Sequence, residues 1–277
     1  NRLAFYGRSE ESLVKSLWVF AGPARLWRYD DFSRSAALEG EESARTMIDL
    51  RGGWHVEGEI ARSFFSIDST YFPGVTVPAP GGGFLPYAPR LKLDDLWRQE
   101  ITVNTPVRRT FNASATYTGG GVAIFSEGSE GRSRRIDLSL GYRPTPGIRV
   151  EGLAALARIT RTEDGSEYSR TFIPRLKVEY QPSRALFFRV VSELRDERTA
   201  ALQAAPGIPL FVDGVQSQAT RERSLRTDWL VSYEPSQGTV AFFGYGSTLE
   251  RPEIETPGRM RRESDGFFLK FAYQFRN

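Results

Sequence analysis

The sequence predicts an all-β fold. Apolar and polar residues alternate in segment after segment, one turn motif recurs, and the connections fall into two length classes that follow each other in turn. The last segment is the clearest. Phe267, Leu269, Phe271, Tyr273 and Phe275 are apolar, while Lys270, Ala272, Gln274 and Arg276 are polar or small, with Phe268 the exception. Successive side chains of a strand point to opposite faces, so one face becomes a row of large apolar groups.

The pattern recurs upstream. Phe111, Ala113, Ala115 and Tyr117 alternate with Asn112, Ser114 and Thr116. Ile136, Leu138, Leu140 and Tyr142 alternate with Arg135, Asp137, Ser139 and Gly141. Leu176, Val178 and Tyr180 alternate with Arg175, Lys177 and Glu179; Leu225, Thr227, Trp229, Val231 and Tyr233 alternate with Arg226, Asp228, Leu230 and Ser232. Each segment has roughly ten residues, the length that crosses a bilayer at a barrel's tilt. No run of about eighteen apolar residues occurs, which excludes a transmembrane helix. Helical spacing is confined to residues 91–97, read as a short helical turn.

Three turns share one plan: Tyr142-Arg143-Pro144-Thr145, Tyr180-Gln181-Pro182-Ser183 and Tyr233-Glu234-Pro235-Ser236. Proline offers no N–H to a ladder and stops the strand, and the hydroxyl residue after it suits a tight turn. Short connections are expected near 21–23, 52–54, 105–108, 143–147, 181–185 and 235–238. Long ones are expected over 30–43, 68–95, 198–222 and 250–264, with moderate ones at 126–133 and 162–167. Short and long alternate, so all long loops share one end. Together these features predict an antiparallel up-and-down transmembrane β-barrel of about fourteen strands, with short periplasmic turns and long outer loops. The fourteenth is a segment at residues 3–7. The tyrosines before the turns, Tyr142, Tyr180 and Tyr233, with Tyr273 and Phe275 at the end, are the expected interface aromatics.

Composition agrees with a single domain spanning 1–277. Zero cysteines exclude a disulfide framework and thiolate metal sites. A net charge of +3 from 37 basic and 34 acidic residues carries no signal for nucleic acid. No basic-then-apolar leader follows Asn1, so the expectation is the C-terminal part of a longer exported protein.

Residues 225–246 and 264–276 resemble the barrel of an uncharacterised family of large bacterial outer-membrane proteins. Members of that family carry an N-terminal domain like the family-nine carbohydrate-binding modules, followed by a long C-terminal barrel. The resemblance implies an outer-membrane location and a link to glycan handling through a domain these residues do not include. It implies no catalytic residues.

Site chemistry is sparse. His55, the single histidine, lies in Gly52-Gly53-Trp54-His55 at a short turn, where a polar rim residue is the plain reading and a Ser–His–acid site the sharper one. No nucleophile elbow, phosphate loop or dinucleotide fingerprint occurs; the glycine runs 81–83 and 119–121 lack a strand-to-helix context. Asp30-Asp31, Glu41-Glu42 and Asp94-Asp95 are expected in outer loops, without the ligand spacing of a calcium loop. No cofactor is expected.

The polar faces carry the candidate lumen lining: Arg135, Asp137, Arg149, Glu151, Arg175, Lys177, Glu179, Arg189, Glu193, Arg226, Asp228 and Lys270, with Arg143, Arg195 and Glu234 beside them. Mixed signs suit cross-strand ion pairs that brace the interior; a selective pore would gather one sign at a constriction. Arg108-Arg109, Arg134-Arg135 and residues 259–262 are candidates for lipid phosphate at an interface, with lipopolysaccharide as the anion for the last. The loop 68–95, with Tyr71, Phe72, Phe84 and Tyr87, would be a constriction if folded inward and a recognition surface if not. Expected partners are the lipid bilayer and, through the C-terminal strand, the barrel-assembly machinery; nucleic acid is not among them. The functional reading is a pore or a membrane anchor. A TonB-type receptor barrel, a lipid-acting barrel enzyme with His55 and a soluble β-sandwich are the rivals.

Overall fold

In a computed structural model the chain is described at residues 2–6, 11–29, 32, 36–67, 71–89, 92–251 and 260–274. It is all-β. The strands, in chain order, are β1 (Arg2–Tyr6), β2 (Val14–Leu26), β3 (Glu39–Leu50), β4 (His55–Ser66), β5 (Val75–Pro78), β6 (Phe84–Pro86), β7 (Lys92–Asn104), β8 (Phe111–Ile124), β9 (Ser129–Thr145) and β10 (Ile148–Arg161). They continue as β11 (Glu167–Tyr180), β12 (Leu186–Thr199), β13 (Gln203–Ala205), β14 (Ile208–Pro209), β15 (Phe211–Val212), β16 (Val215–Gln216), β17 (Thr220–Ser236), β18 (Thr239–Arg251) and β19 (Arg261–Tyr273).

Thirteen of these form one antiparallel meander in the order β1-β2-β3-β4-β7-β8-β9-β10-β11-β12-β17-β18-β19. Each strand pairs with its neighbour in sequence, as an up-and-down sheet requires. Among the described residues β1 pairs only with β2 and β19 only with β18, so the sheet has two open edges rather than the closed circuit expected. The expected count of about fourteen strands included a turn at residues 21–23. That segment is instead the interior of β2, where Ala21, Gly22 and Pro23 sit opposite Ala44, Ser43 and Glu42 of β3. β1 covers β2 only as far as Phe20, so Pro23 lies where β2 has an uncovered side and a missing N–H is tolerated.

The helical turn expected at 91–97 is a strand with a bulge, Leu91 itself lying outside the described residues. Phe65 faces Leu93 and Ser63 faces Leu96, so three steps on β7 oppose two on β4. Asp95 takes up the extra residue with φ of 58°. The bulge turns both Leu93 and Leu96 to the same side, and both are buried. A spacing of three on one face is what gave the sequence its helical look.

Register separates the two faces. One carries Ile136, Leu138, Leu140 and Tyr142 on β9, Phe172, Leu176, Val178 and Tyr180 on β11, and Trp229, Val231 and Tyr233 on β17, joined by cross-strand pairs. Leu138, Leu140, Leu176 and Tyr180 remain 41–50% exposed, as does most of this face. The band on β11, from Phe172 to Tyr180, runs about 27 Å along the strand at ~3.4 Å per residue. Beyond Ile136 and Phe172 the same face continues with Arg134 and Arg170. The opposite face carries the charged residues.

Long connections gather at one end and short ones at the other. The two longest fold into small sheets: β5 pairs with β6 and with β15, β15 with β16, and β13 with β14. These loops leave the main sheet six strand spacings apart, about 29 Å along the sheet. They meet at the β5–β15 pair, Phe211 opposite Thr76. The buried apolar cluster, Ile67, Phe72, Leu93, Leu96 and Ala123, with Phe65, Val75 and Tyr87 against it, sits at this loop end.

Gly120, on β8 opposite Arg98 of β7, has φ of +140°, and a Cβ there would fall on the Trp97 carbonyl oxygen. Gly120→Ala is expected to lower stability by roughly 1–3 kcal/mol. The urea midpoint of the refolded variant in detergent checks this; an unchanged midpoint would mean that β7 yields without cost.

Candidate functional site

The charged face lines a cavity of about 1680 Å³ between β8 and β19. Eight of the twelve lumen candidates border it: Arg149, Glu151, Arg175, Lys177, Arg189, Glu193, Arg226 and Asp228. Alternation along the strands places them there. Arg175 faces Glu193, which faces Arg226; Lys177 faces Val191, which faces Asp228. Arg135, Asp137, Glu179 and Lys270 share this face by register but lie away from the cavity.

Ion pairs knit the wall together. Lys177 reaches Glu151 at 3.3 Å and Glu179 at 2.8 Å, and Arg149 reaches Glu151 at 2.5 Å. Arg175 meets Glu193 at 3.8 Å, Arg226 meets Asp228 at 2.9 Å, and Arg135 meets Asp137 at 2.6 Å. A second cluster fills the face between β3 and β8. There Glu59 accepts from Arg45 and Arg98, and Arg98 also approaches Glu41 and Glu100 at 3.5 and 3.6 Å. Arg108, Arg109, Arg143 and Arg189 border the cavity with no ion pair among the described residues. All but Arg189 come from short turns or the strand ends beside them, so the turn-end mouth is the more basic part. Arg108 and Arg109, expected from the sequence as candidates for lipid phosphate, border this cavity.

At the loop end side chains pack over part of the sheet. Phe72 and Tyr87 meet edge to face at 5.4 Å and rest on the buried cluster, so the loop 68–95 folds inward there; Tyr71 and Phe84 stay exposed. Beneath the loops lies a charged pair that the sequence reading did not pick out. Glu127, in the turn between β8 and β9, is 1% exposed and Arg161, ending β10, is 6% exposed. Arg161 donates through Nε and Nη2 to the two carboxylate oxygens, at 2.8 and 2.5 Å, and through Nη2 to the Ala201 carbonyl at 2.9 Å. Gln203 N–H donates to Glu127 at 3.0 Å, and Tyr87 O–H donates to the Glu127 carbonyl. The Glu127 carboxylate thus ties the β8–β9 turn to the end of β10 and the 200–219 loop, and its backbone carbonyl adds Tyr87. Burial, with the charges of Glu127 and Glu163 nearby, pushes the Tyr87 phenol up to about 12.

His55 does not sit in a nucleophile–base arrangement. Its Nδ1 faces Asp49 at 2.7 Å and its Nε2 faces Glu57 at 2.9 Å, while the Ser16 hydroxyl donates to Asp49. A Ser–His–acid site needs the hydroxyl on the imidazole. The acidic pairs also lie elsewhere than expected. Glu41, Glu42, Asp94 and Asp95 are on strands, where Glu42 pairs with Arg25, Asp94 with Lys92 and Asp95 with Arg62. Asp30 and Asp31 fall outside the described residues. Among the described residues no group of three or more acidic or histidine side chains could hold a metal.

The interface aromatics Tyr142, Tyr180, Tyr233 and Tyr273 all lie on the apolar face at the turn end, 45–65% exposed; Phe275 falls outside the described residues. Comparison with protein families, curated proteins and solved structures finds no match to this chain.

Two outcomes follow from the buried pair. Glu127→Ala strands the Arg161 guanidinium without its carboxylate and is expected to cost about 3–5 kcal/mol, with faster proteolysis in the 200–219 loop. Tyr87 keeps its proton to higher pH in the folded chain than in the unfolded one. Its contribution is therefore full below pH 10 and lost as pH rises toward 12. Alkaline unfolding curves of wild type and Tyr87→Phe should differ by a constant amount below pH 10, and the difference should shrink as pH rises toward 12.

Proposed function

We propose that this chain is the membrane-embedded part of a bacterial outer-membrane β-barrel protein, serving as an anchor with a charged internal chamber. The observation that carries the reading is the division of one sheet into two faces. One is an exposed apolar band with tyrosines along its turn end; the other is a charged wall around a cavity. An exposed apolar surface of this extent suits lipid, and a band about 25 Å tall with aromatic borders is what a barrel turns outward. A soluble sandwich would place the apolar face against a second sheet.

On this reading the short turns lie in the periplasm and the loop end faces outside. Closure of the barrel would join β1 to β19 directly or through further strand. The resemblance of residues 225–246 and 264–276 to barrels joined to carbohydrate-binding-like domains supports an anchoring role, and we assign the segment no catalysis. A second reading, passage of small anions, is favoured by Arg108, Arg109, Arg143 and Arg189 at the turn-end mouth.

A paired substitution tests membrane embedding. Leu138 and Ser139 are neighbours on β9 that face opposite ways. In a bilayer, Leu138→Arg is expected to lower folding stability by about 2–4 kcal/mol, while Ser139→Arg, facing the chamber, changes it far less. Refolding into lipid vesicles, read by heat-modifiable migration, measures both. Equal effects, or a chain that folds in water without detergent, would sink the membrane reading.

A further inference from the structure

The outward face bears a feature that neither lipid embedding nor chamber bracing explains. Arg134 on β9 lies directly opposite Arg158 on β10; Arg158 lies opposite Arg170 on β11, Arg170 opposite Arg198 on β12, and Arg198 opposite Arg221 on β17. Five arginines on five adjacent strands form one continuous cross-strand row, and all five are exposed. Directly opposed residues in such a ladder have Cα atoms about 5 Å apart, and like charges so placed destabilise a sheet. In the next row Asp196 faces Arg223, and its carboxylate is shared with Arg221 of the row above.

Acidic neighbours offset only part of this charge. Arg158 pairs with Glu167 at 2.7 Å, and Arg221 and Arg223 share Asp196 at 2.7 and 3.6 Å. Arg134 and Arg198 have no ion pair among the described residues, and Arg170 only the more distant field of Asp196. The Nε of Arg223 is the buried side-chain atom left without a hydrogen-bond partner among the described residues. An array of forked donors with so few acceptors is built for an anion.

The row's position identifies the anion. It begins one step beyond Ile136, Leu156 and Phe172, the last apolar residues of the band at the loop end. Below it, about 13 Å from Arg134 at ~3.4 Å per residue, the outward face dips. Small side chains Ala113, Ala115, Gly152 and Ala154 beside Leu138 and Leu140 leave an apolar groove of about 380 Å³ there. Phosphate at the arginines and an acyl chain in the groove would belong to one molecule. A nucleic acid or an acidic peptide has no use for the apolar wall beneath. The turn end of the same strands, with Tyr142, Val150, Tyr180 and Tyr233, carries no charge on this face.

We infer that the arginine row from Arg134 to Arg221, with the groove beneath it, binds phosphorylated membrane lipids at the loop-end interface. This rests on the membrane reading above and names the lipid chemistry that one leaflet would supply. The ladder's repulsion is relieved when phosphate oxygens bridge neighbouring guanidinium groups, so bound lipid and sheet stabilise each other.

The test uses the chain folded in zwitterionic detergent and the variant R134Q/R170Q/R198Q, which leaves the pairs of Arg158 and Arg221 intact. Thermal unfolding is followed with no addition, with dimyristoyl phosphatidic acid, with dimyristoyl phosphatidylcholine and with inorganic phosphate. Bound lipid is counted by native mass spectrometry. Phosphatidic acid is expected to raise the wild-type midpoint and remain bound, while the other two additions do neither. The triple variant should bind it at least about tenfold more weakly, yet unfold no lower than wild type without lipid. Arg170→Gln alone, an exposed change at the row's centre, should show a severalfold loss and covers the case of a misfolded triple variant. A variant that keeps the full rise overturns the proposal, and so does inorganic phosphate reproducing it. A wild-type chain that folds in detergent but ignores phosphatidic acid removes the lipid site alone; one that folds only without detergent removes the membrane reading with it.

Discussion

The unbroken antiparallel ladder is the constraint on which the rest of this molecule depends. A side-chain period of two means that a one-residue slip anywhere would carry a strand's charges onto the apolar face and its leucines into the chamber. From β8 to β19 the paired positions keep Ile136, Leu156 and Phe172 on one side and Arg135, Ala157 and Thr171 on the other. Backbone satisfaction and face segregation are thus one fact seen twice. Irregularity is admitted at a few places, such as the bulge at Asp95, and there it serves the loop end by turning Leu93 and Leu96 to the same side.

Charge is treated oppositely on the two faces. Inside, acids and bases alternate across strands, as in Arg175, Glu193 and Arg226, so the wall neutralises itself and leaves extra arginines only near the turn-end mouth. Outside, the residues beyond the apolar band are arginines opposite arginines. The same sheet that alternates its charges in the chamber sets arginine opposite arginine at the band's edge, with acids for only some of them. Mutual repulsion there is a standing cost, and a surface that retains it without internal relief is one that meets its counter-charge in another molecule.

Much of this was legible in the sequence, and the reasons divide cleanly. Alternation and the Tyr-x-Pro turns located the strands of the meander from β8 onward because both signals are local. The reading failed where a local signal had a non-local answer. Ala21-Gly22-Pro23 has turn composition, yet β3 pairs along it and makes it strand. The 68–95 and 198–222 segments read as loops, since their short strands include the β5–β15 pair, which joins residues far apart in the chain. Of the lumen candidates, those on β10, β12 and β17, with Arg175 and Lys177 on β11, border the cavity as alternation placed them. The arginine row was out of reach, because residues 134, 158, 170, 198 and 221 become neighbours only once four registers are known. The tie between Glu127 and Arg161 was hidden for the same reason.

The open edges bring these strands of argument together. With thirteen strands in the meander, β1 and β19 run in the same direction, and their apolar sides are among the most exposed: Leu3 at 69%, Phe267 at 77% and Phe271 at 72%. An unpaired edge is a liability in water and a larger one in hydrocarbon, where each unbonded backbone group costs several kcal/mol. The loops are joined by the β5–β15 pair and by the contacts of Glu127 with Arg161 and Gln203, and one face of the sheet is an exposed apolar band. The edge strands carry that band to the last pair, with Phe271 opposite Ala241 and Phe5 opposite Leu17, so whatever completes the circuit meets lipid-compatible surface on both sides. Backbone pairing would favour closure, by a parallel pair if β1 met β19 directly and by antiparallel pairs, like the rest of the sheet, if one further strand lay between them.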